Sequence, residues 1–249
     1  MDLYYETHGT GEPVVLIHSG GQDLRDWQFI APRLARTYRV VAFDGRGAGR
    51  SPAPVEPVNY VEDLRKLLDY LGVGTAALVG HSIGGQLATD FALTYPDRVS
   101  RLTLIGPALS GYQFSPAYAR LFAWVQAAAP DVKKMTELAL DFPSYRVVLA
   151  GPQRALMVQM TEDNLRKMLD WKTTEQVWPQ PPAIERLDTL AAPTLFIVGT
   201  QDTDDLFRIA EQFERVPAIR FARIDGADHM PTLTHPEEVS RLITRFLGE

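Results

Sequence analysis

The chain has no cysteine among its 249 residues. Disulfides, thiolate nucleophiles and zinc-thiolate centres are thereby excluded, while the redox compartment stays open. Positive charge is also scarce: 25 Lys and Arg stand against 31 Asp and Glu, for a net charge of -6. Such a chain offers no cationic footprint to phosphate backbones or anionic lipid, so nucleic acid is not an expected partner. No apolar run approaches the roughly 20 residues that span a bilayer, and no membrane association is expected. Met1-Asp2-Leu3-Tyr4-Tyr5-Glu6 has neither the basic nor the apolar stretch of a secretion signal, which makes the cytoplasm the expected location. There is no internal repeat, and no low-complexity stretch beyond Ala127-Ala128-Ala129. Composition carries no hint of the oligomeric state.

What is present has the balance of an ordinary globular chain, 45% apolar and 22% charged. Short apolar, β-branched runs at Val14 to Ile17, Val40 to Phe43, Ala76 to Val79 and Leu102 to Ile105 alternate with stretches of helical period. Leu64, Leu67, Leu68 and Leu71 share one helix face; Ile83, Leu87, Phe91 and Tyr95 share another, ended by Pro96. Strand-like runs resume at Pro193 to Val198 and Ile219 to Ile224, with helical patterns at Leu206 to Phe213 and Val239 to Phe246. This alternation predicts an α/β fold, a mostly parallel sheet flanked by helices. Residues 111–184 break the rhythm, being helical in pattern and dense in aromatics. They are expected to form a helical lid inserted into a core made of residues 1–110 and 185–249.

Gly80-His81-Ser82-Ile83-Gly84 lies directly after one apolar run and directly before a helical one. A serine on so tight a strand-to-helix turn presents its hydroxyl to solvent and needs small residues two positions to either side. Ser82 is therefore the candidate nucleophile, and the amide of Ile83, at the helix N-terminus, a candidate oxyanion donor. A serine hydroxyl needs a base to remove its proton. Of the five histidines, His8 and His18 precede the serine, His81 adjoins it and must turn its ring away from the hydroxyl, and His235 precedes Pro236 at an expected helix start. His229 follows the last strand, at the sheet edge where sites of open α/β folds form, and is the candidate base. Asp202, just past the Pro193 to Val198 strand, is the candidate carboxylate to orient it. Asp204 and Asp205 are nearby rivals expected at the start of the next helix. Gly20, in His18-Ser19-Gly20-Gly21 after the first apolar run, is the candidate second oxyanion donor. Trp27, His81, Trp124 and Trp171 are candidate walls of a substrate pocket.

Taken together, His18 to Gly21, Asp44-Gly45-Arg46-Gly47-Ala48-Gly49-Arg50-Ser51, Gly80 to Gly85, Asp202 and His229 resemble the α/β-hydrolase superfamily over essentially the whole chain, within its cofactor-free esterase, enol-lactonase and carbon-carbon hydrolase branch. The resemblance implies a serine hydrolase acting on a small-molecule ester or lactone through an acyl-enzyme, with no metal and no organic cofactor, and a structural role for the Asp44 to Ser51 turn. Carbon-carbon bond hydrolysis, perhydrolysis or cyanohydrin cleavage at the same residues, and a non-catalytic receptor on the same scaffold, remain as alternatives. Two positions depart from the pattern. Ser19 stands where a glycine is usual, which alters the oxyanion loop. Asp228 replaces the glycine before the histidine, and either raises the pKa of His229 or points to solvent.

Overall fold

A computed structural model describes residues 1–249. Its seven strands are β1 (Tyr5–His8), β2 (Pro13–Ile17), β3 (Arg39–Phe43), β4 (Ala76–His81), β5 (Val99–Ile105), β6 (Thr194–Gly199) and β7 (Ile219–Ile224). They form one sheet in the order β1-β3-β2-β4-β5-β6-β7, parallel throughout except for β1, which runs antiparallel to β3. Six of these strands follow the apolar runs. The edge strand β1 is missing from the sequence reading because Tyr5-Glu6-Thr7-His8 is half-buried to exposed and carries no apolar alternation.

The helices are α1 (Ala31–Leu34), α2 (Tyr60–Tyr70), α3 (Ile83–Thr94), α4 (Pro116–Ala127), α5 (Val132–Leu140), α6 (Arg146–Ala150), α7 (Arg154–Met168), α8 (Asp204–Phe213), α9 (Pro231–Thr234) and α10 (Pro236–Leu247). Successive side chains of a strand point to opposite faces, so the buried central strands feed two cores. Val15, Ile17, Leu78, Phe196 and Val198 pack with Leu64 of α2, Phe91 of α3 and Ile209 of α8. On the other face Val14, Leu16, Val79, Leu195 and Ile197 pack with Leu34 of α1 and with Val239, Ile243 and Phe246 of α10.

Between β5 and β6 the chain leaves the sheet for α4 to α7. These helices bury small clusters of their own, one of Val125, Met135 and Leu165. A second joins Val148, Met157 and Met160 to Met230 and Leu233, so this segment rests on the loop that follows β7. The chain returns through an extended stretch in which Gln176 bridges to Val58. No helix is long and apolar enough to cross a membrane.

Candidate active site

β4 runs straight into α3 through Ser82, whose backbone has φ 53° and ψ -117°. It is the one non-glycine residue with positive φ, a strained conformation that the flanking contacts impose. A Cβ on Gly80 would lie 2.3 Å from the Gly84 carbonyl oxygen, and one on Gly84 would lie 2.3 Å from the Ile17 carbonyl oxygen. Only bare backbone lets the turn close this tightly against β2. The Ser82 amide donates to the Ile105 carbonyl at 2.9 Å, fixing the turn to β5.

Ser82, His229 and Asp202 meet although they come from three separate loops. His229 Nε2 lies 2.9 Å from Ser82 Oγ, and His229 Nδ1 lies 2.9 Å from Asp202 Oδ2. Asp202 is buried, and its other oxygen accepts from the Thr203 amide at 2.8 Å. The rivals take other work: Asp204 opens α8, and Asp205 accepts from the Tyr112 hydroxyl and the Ser115 amide. A Cβ on Gly106, at φ +45°, would lie 3.2 Å from both Asp202 Oδ2 and His229 Nδ1. The end of β5 thus leaves just enough room for the pair. Burial works against a charged His229 ring, but the carboxylates of Asp202, Asp228 and Asp26 outweigh it and push its pKa above the usual 6.5.

The two amides expected to serve an oxyanion have no acceptor in the protein. Ile83 is the first residue of α3, where an amide has no intrahelical acceptor. Gly20 sits against the Ile83 side chain, where a Cβ would come within 3.2 Å, and its own amide bonds to nothing in the protein. Two histidine contacts hold this loop: His18 Nδ1 donates to the Ser19 carbonyl at 2.7 Å, and His18 Nε2 accepts from the Gly45 amide at 2.9 Å. Gly45 belongs to the Asp44 to Ser51 turn, which Asp44 braces by accepting from the Leu24 and Arg50 amides.

Of the two departures from the family pattern, Asp228 is engaged through its side chain, whereas at Ser19 the contact is made by the backbone. The Ser19 amide donates to the Asp26 carboxylate at 3.1 Å. Asp228 is fully buried rather than solvated; one oxygen accepts from the Val147 and Val148 amides at 2.8 and 2.9 Å, the other from the Met230 amide at 3.0 Å. Asp228 therefore caps α6, and the His229 amide donates to the Ser144 carbonyl at 3.0 Å beside it. Burial raises the pKa of Asp228.

Two of the expected pocket walls need correction. Trp27 is fully buried, because its indole packs into the core with Ile30, Leu34 and the sheet. His81 is fully buried as well, its ring nitrogens taken up by Asp26 and the His229 carbonyl. Neither can line an open pocket. Trp171 lies on Gly47, to whose carbonyl its Nε1 donates, and Trp124 stands 59% exposed on α4. The aromatic ring that does approach His229 from the helical segment is Tyr145, at 6.4 Å between centroids. Tyr118 stacks on Phe114 and meets Phe142 edge-on, and the charges acting on its hydroxyl are the carboxylates of Asp202 and Asp205. Burial pushes the pKa of Tyr118 up to about 12 and that of Tyr145 higher still, so both stay neutral donors. Asp26, Thr232 and Tyr145 are the site residues that sequence reasoning misses, since nothing in their local context sets them apart.

Comparison with known proteins identifies the family. Residues 12–236 match the family described as alpha/beta hydrolase fold. The chain belongs to the α/β-hydrolase family. Among similar α/β-hydrolases is a pimeloyl-[acyl-carrier protein] methyl ester esterase from Aeromonas hydrophila, 27% identical, with 100% of both chains covered. Another is a 2-hydroxy-6-oxononadienedioate/2-hydroxy-6-oxononatrienedioate hydrolase from Burkholderia vietnamiensis, 29% identical over 99% of this chain and 91% of that one. A solved structure of a hydrolase from Pseudomonas aeruginosa superposes with a TM-score of 0.81 at 27% identity, covering 99% of this chain and 94% of the other. Membership of this family makes the protein an enzyme of the α/β-hydrolase type.

Proposed function

We propose that this α/β-hydrolase cleaves small carboxylic esters or lactones through an acyl-enzyme on Ser82. The observation that carries the reading is the hydrogen-bonded line Ser82 Oγ to His229 Nε2 and His229 Nδ1 to Asp202 Oδ2, 2.9 Å at each link. His229 takes the hydroxyl proton as Oγ attacks the substrate carbonyl, and Asp202 holds the ring in the tautomer that can do so. The amides of Gly20 and Ile83 donate to the oxyanion. The imidazolium then hands its proton to the leaving alcohol, and His229 next activates a water that releases the acid and restores Ser82.

Residues 111–184 act as the lid in this reading, with Tyr145 forming its face toward the base. The test is a panel of short-chain esters, lactones and dienone acids, run with a serine-directed phosphonate and mass mapping of the adduct. Ester or lactone turnover with the adduct on Ser82 is the expected result. Turnover confined to dienone acids moves the chemistry to carbon-carbon cleavage, and binding without any turnover makes the protein a receptor. Ser82→Ala should lower turnover about ten-thousandfold with the fold intact.

A further inference from the structure

A second aspartate-histidine pair lies directly behind the first. His81 Nδ1 is 2.8 Å from Asp26 Oδ2, and both side chains are completely shielded from solvent. The other ring nitrogen, His81 Nε2, is 2.7 Å from the carbonyl oxygen of His229. A carboxylate and a carbonyl are both acceptors, so each contact needs a hydrogen on the ring. His81 thus donates from both nitrogens, as an imidazolium closed on both sides. Asp26 accepts three times: from His81, from the Ser19 amide at 3.1 Å, and from the Thr232 hydroxyl at 2.6 Å. Burial works to raise its pKa, but the His81 cation and these donors hold it below the usual carboxylate value.

The partners of Asp26 lie in or next to three of the four segments that build the reacting centre, the Asp202 loop being the fourth. Ser19 immediately precedes Gly20, His81 immediately precedes Ser82, and Thr232 lies in α9 shortly after His229. His81 adds the bond to the backbone of His229 itself, and the two rings are 5.3 Å apart. We infer that Asp26 and His81 form a buried ion pair that positions the Gly20 oxyanion donor and the His229 base relative to Ser82, without touching substrate. The inference rests on the acyl-enzyme reading above. Acyl transfer requires donor and base to stand at fixed separations from one hydroxyl, and a shift of about 1 Å in such a constellation costs about a hundredfold. One carboxylate joined to all three loops sets those separations together.

The experiment combines three readouts on the purified protein. Proton-nitrogen NMR of histidine-labelled protein should show two exchange-protected ring N–H signals that vanish in His81→Asn. Asp26→Asn should lower kcat on p-nitrophenyl acetate about a hundredfold, with KM within threefold, and slow phosphonylation of Ser82 in parallel. Thr232→Val, which keeps the ion pair and loses one bond to it, should fold normally and lower kcat about three- to tenfold, with restoration in Thr232→Ser. It serves as the readout if Asp26→Asn does not fold. A single ring N–H signal at His81, or variants with a lowered melting temperature but kcat within twofold of the parent, would overturn the inference. Absence of both ester turnover and Ser82 labelling in the parent protein would instead strike the acyl-enzyme reading, while the NMR signals still decide the state of the pair.

Discussion

The two aspartate-histidine pairs differ in what the far side of each imidazole meets. In Asp202–His229 the second nitrogen faces the Ser82 hydroxyl, a group that can both give and take a proton. In Asp26–His81 it faces a backbone carbonyl, which can only accept. The first ring can therefore exchange a proton during a reaction, whereas the second holds both of its hydrogens. Identical residue types acquire opposite duties from one neighbouring atom. Asp90 supplies a third case, a buried carboxylate with no histidine: one oxygen accepts from the Ser110 hydroxyl at 2.9 Å and the other has no partner. Burial pushes its pKa up to about 6.

Removing the carboxylate from each pair tests this contrast most strongly. Asp202→Asn should lower kcat by about 10³ to 10⁴, because the amide stabilises the wrong tautomer of His229. That is ten- to a hundredfold beyond the effect expected for Asp26→Asn, and equal losses in steady-state kinetics would erase the distinction. Crowding the first pair should cost less. Gly106→Ala puts a methyl 3.2 Å from both Asp202 Oδ2 and His229 Nδ1 at a φ that alanine resists, and kcat should fall about 10- to 100-fold with KM little changed. A fully active alanine variant would show that the pair tolerates displacement.

Charge near the base can be altered without touching the pair. His229 must be neutral to act, and its pKa stands above 6.5, so the acid limb of kcat/KM should inflect above that pH. Asp228→Asn removes one of the carboxylates responsible and should move the inflection to lower pH; an unmoved limb would assign the shift to Asp202 and Asp26. The smallest effect should be seen at Asp90, where activity is not involved. Its folded pKa of about 6 exceeds the ordinary 3.8, so folding favours the protonated form. The benefit is complete below about pH 4 and is lost as pH rises through 6, a difference of roughly 3 kcal/mol. Asp90→Asn should therefore raise the melting temperature at pH 8 by up to roughly 6 to 12 °C, with the gain vanishing near pH 4. An equal change at both pH values would remove ionisation as its cause.

How much of this can be read from the sequence follows the range of the interactions. Five strands announce themselves through apolar runs because they lie inside the sheet and are buried on both faces, and the edge strand β7 through its β-branched and aromatic residues. β1 does not, since its place at the sheet edge depends on backbone bonds to β3 rather than on side chains. Ser82, Asp202 and His229 are legible as a group because each follows the end of a strand, and parallel strands bring those ends to one edge. Asp26 is silent in Gln22-Asp23-Leu24-Arg25-Asp26, a polar stretch like any loop, because its partners His81 and Thr232 are 55 and 206 residues away. Trp27 misleads for the opposite reason: an indole fits a pocket wall or a packing contact equally well, and here the core beside α1 decides.

Asp228 ties the short helix α6 to the backbone that carries the His229 imidazole. The carboxylate that caps α6 is adjacent in the chain to His229, whose own amide is held by Ser144. The position of the imidazole is therefore coupled to that of residues 144–150, and a displacement of that segment would pull on the backbone of the histidine.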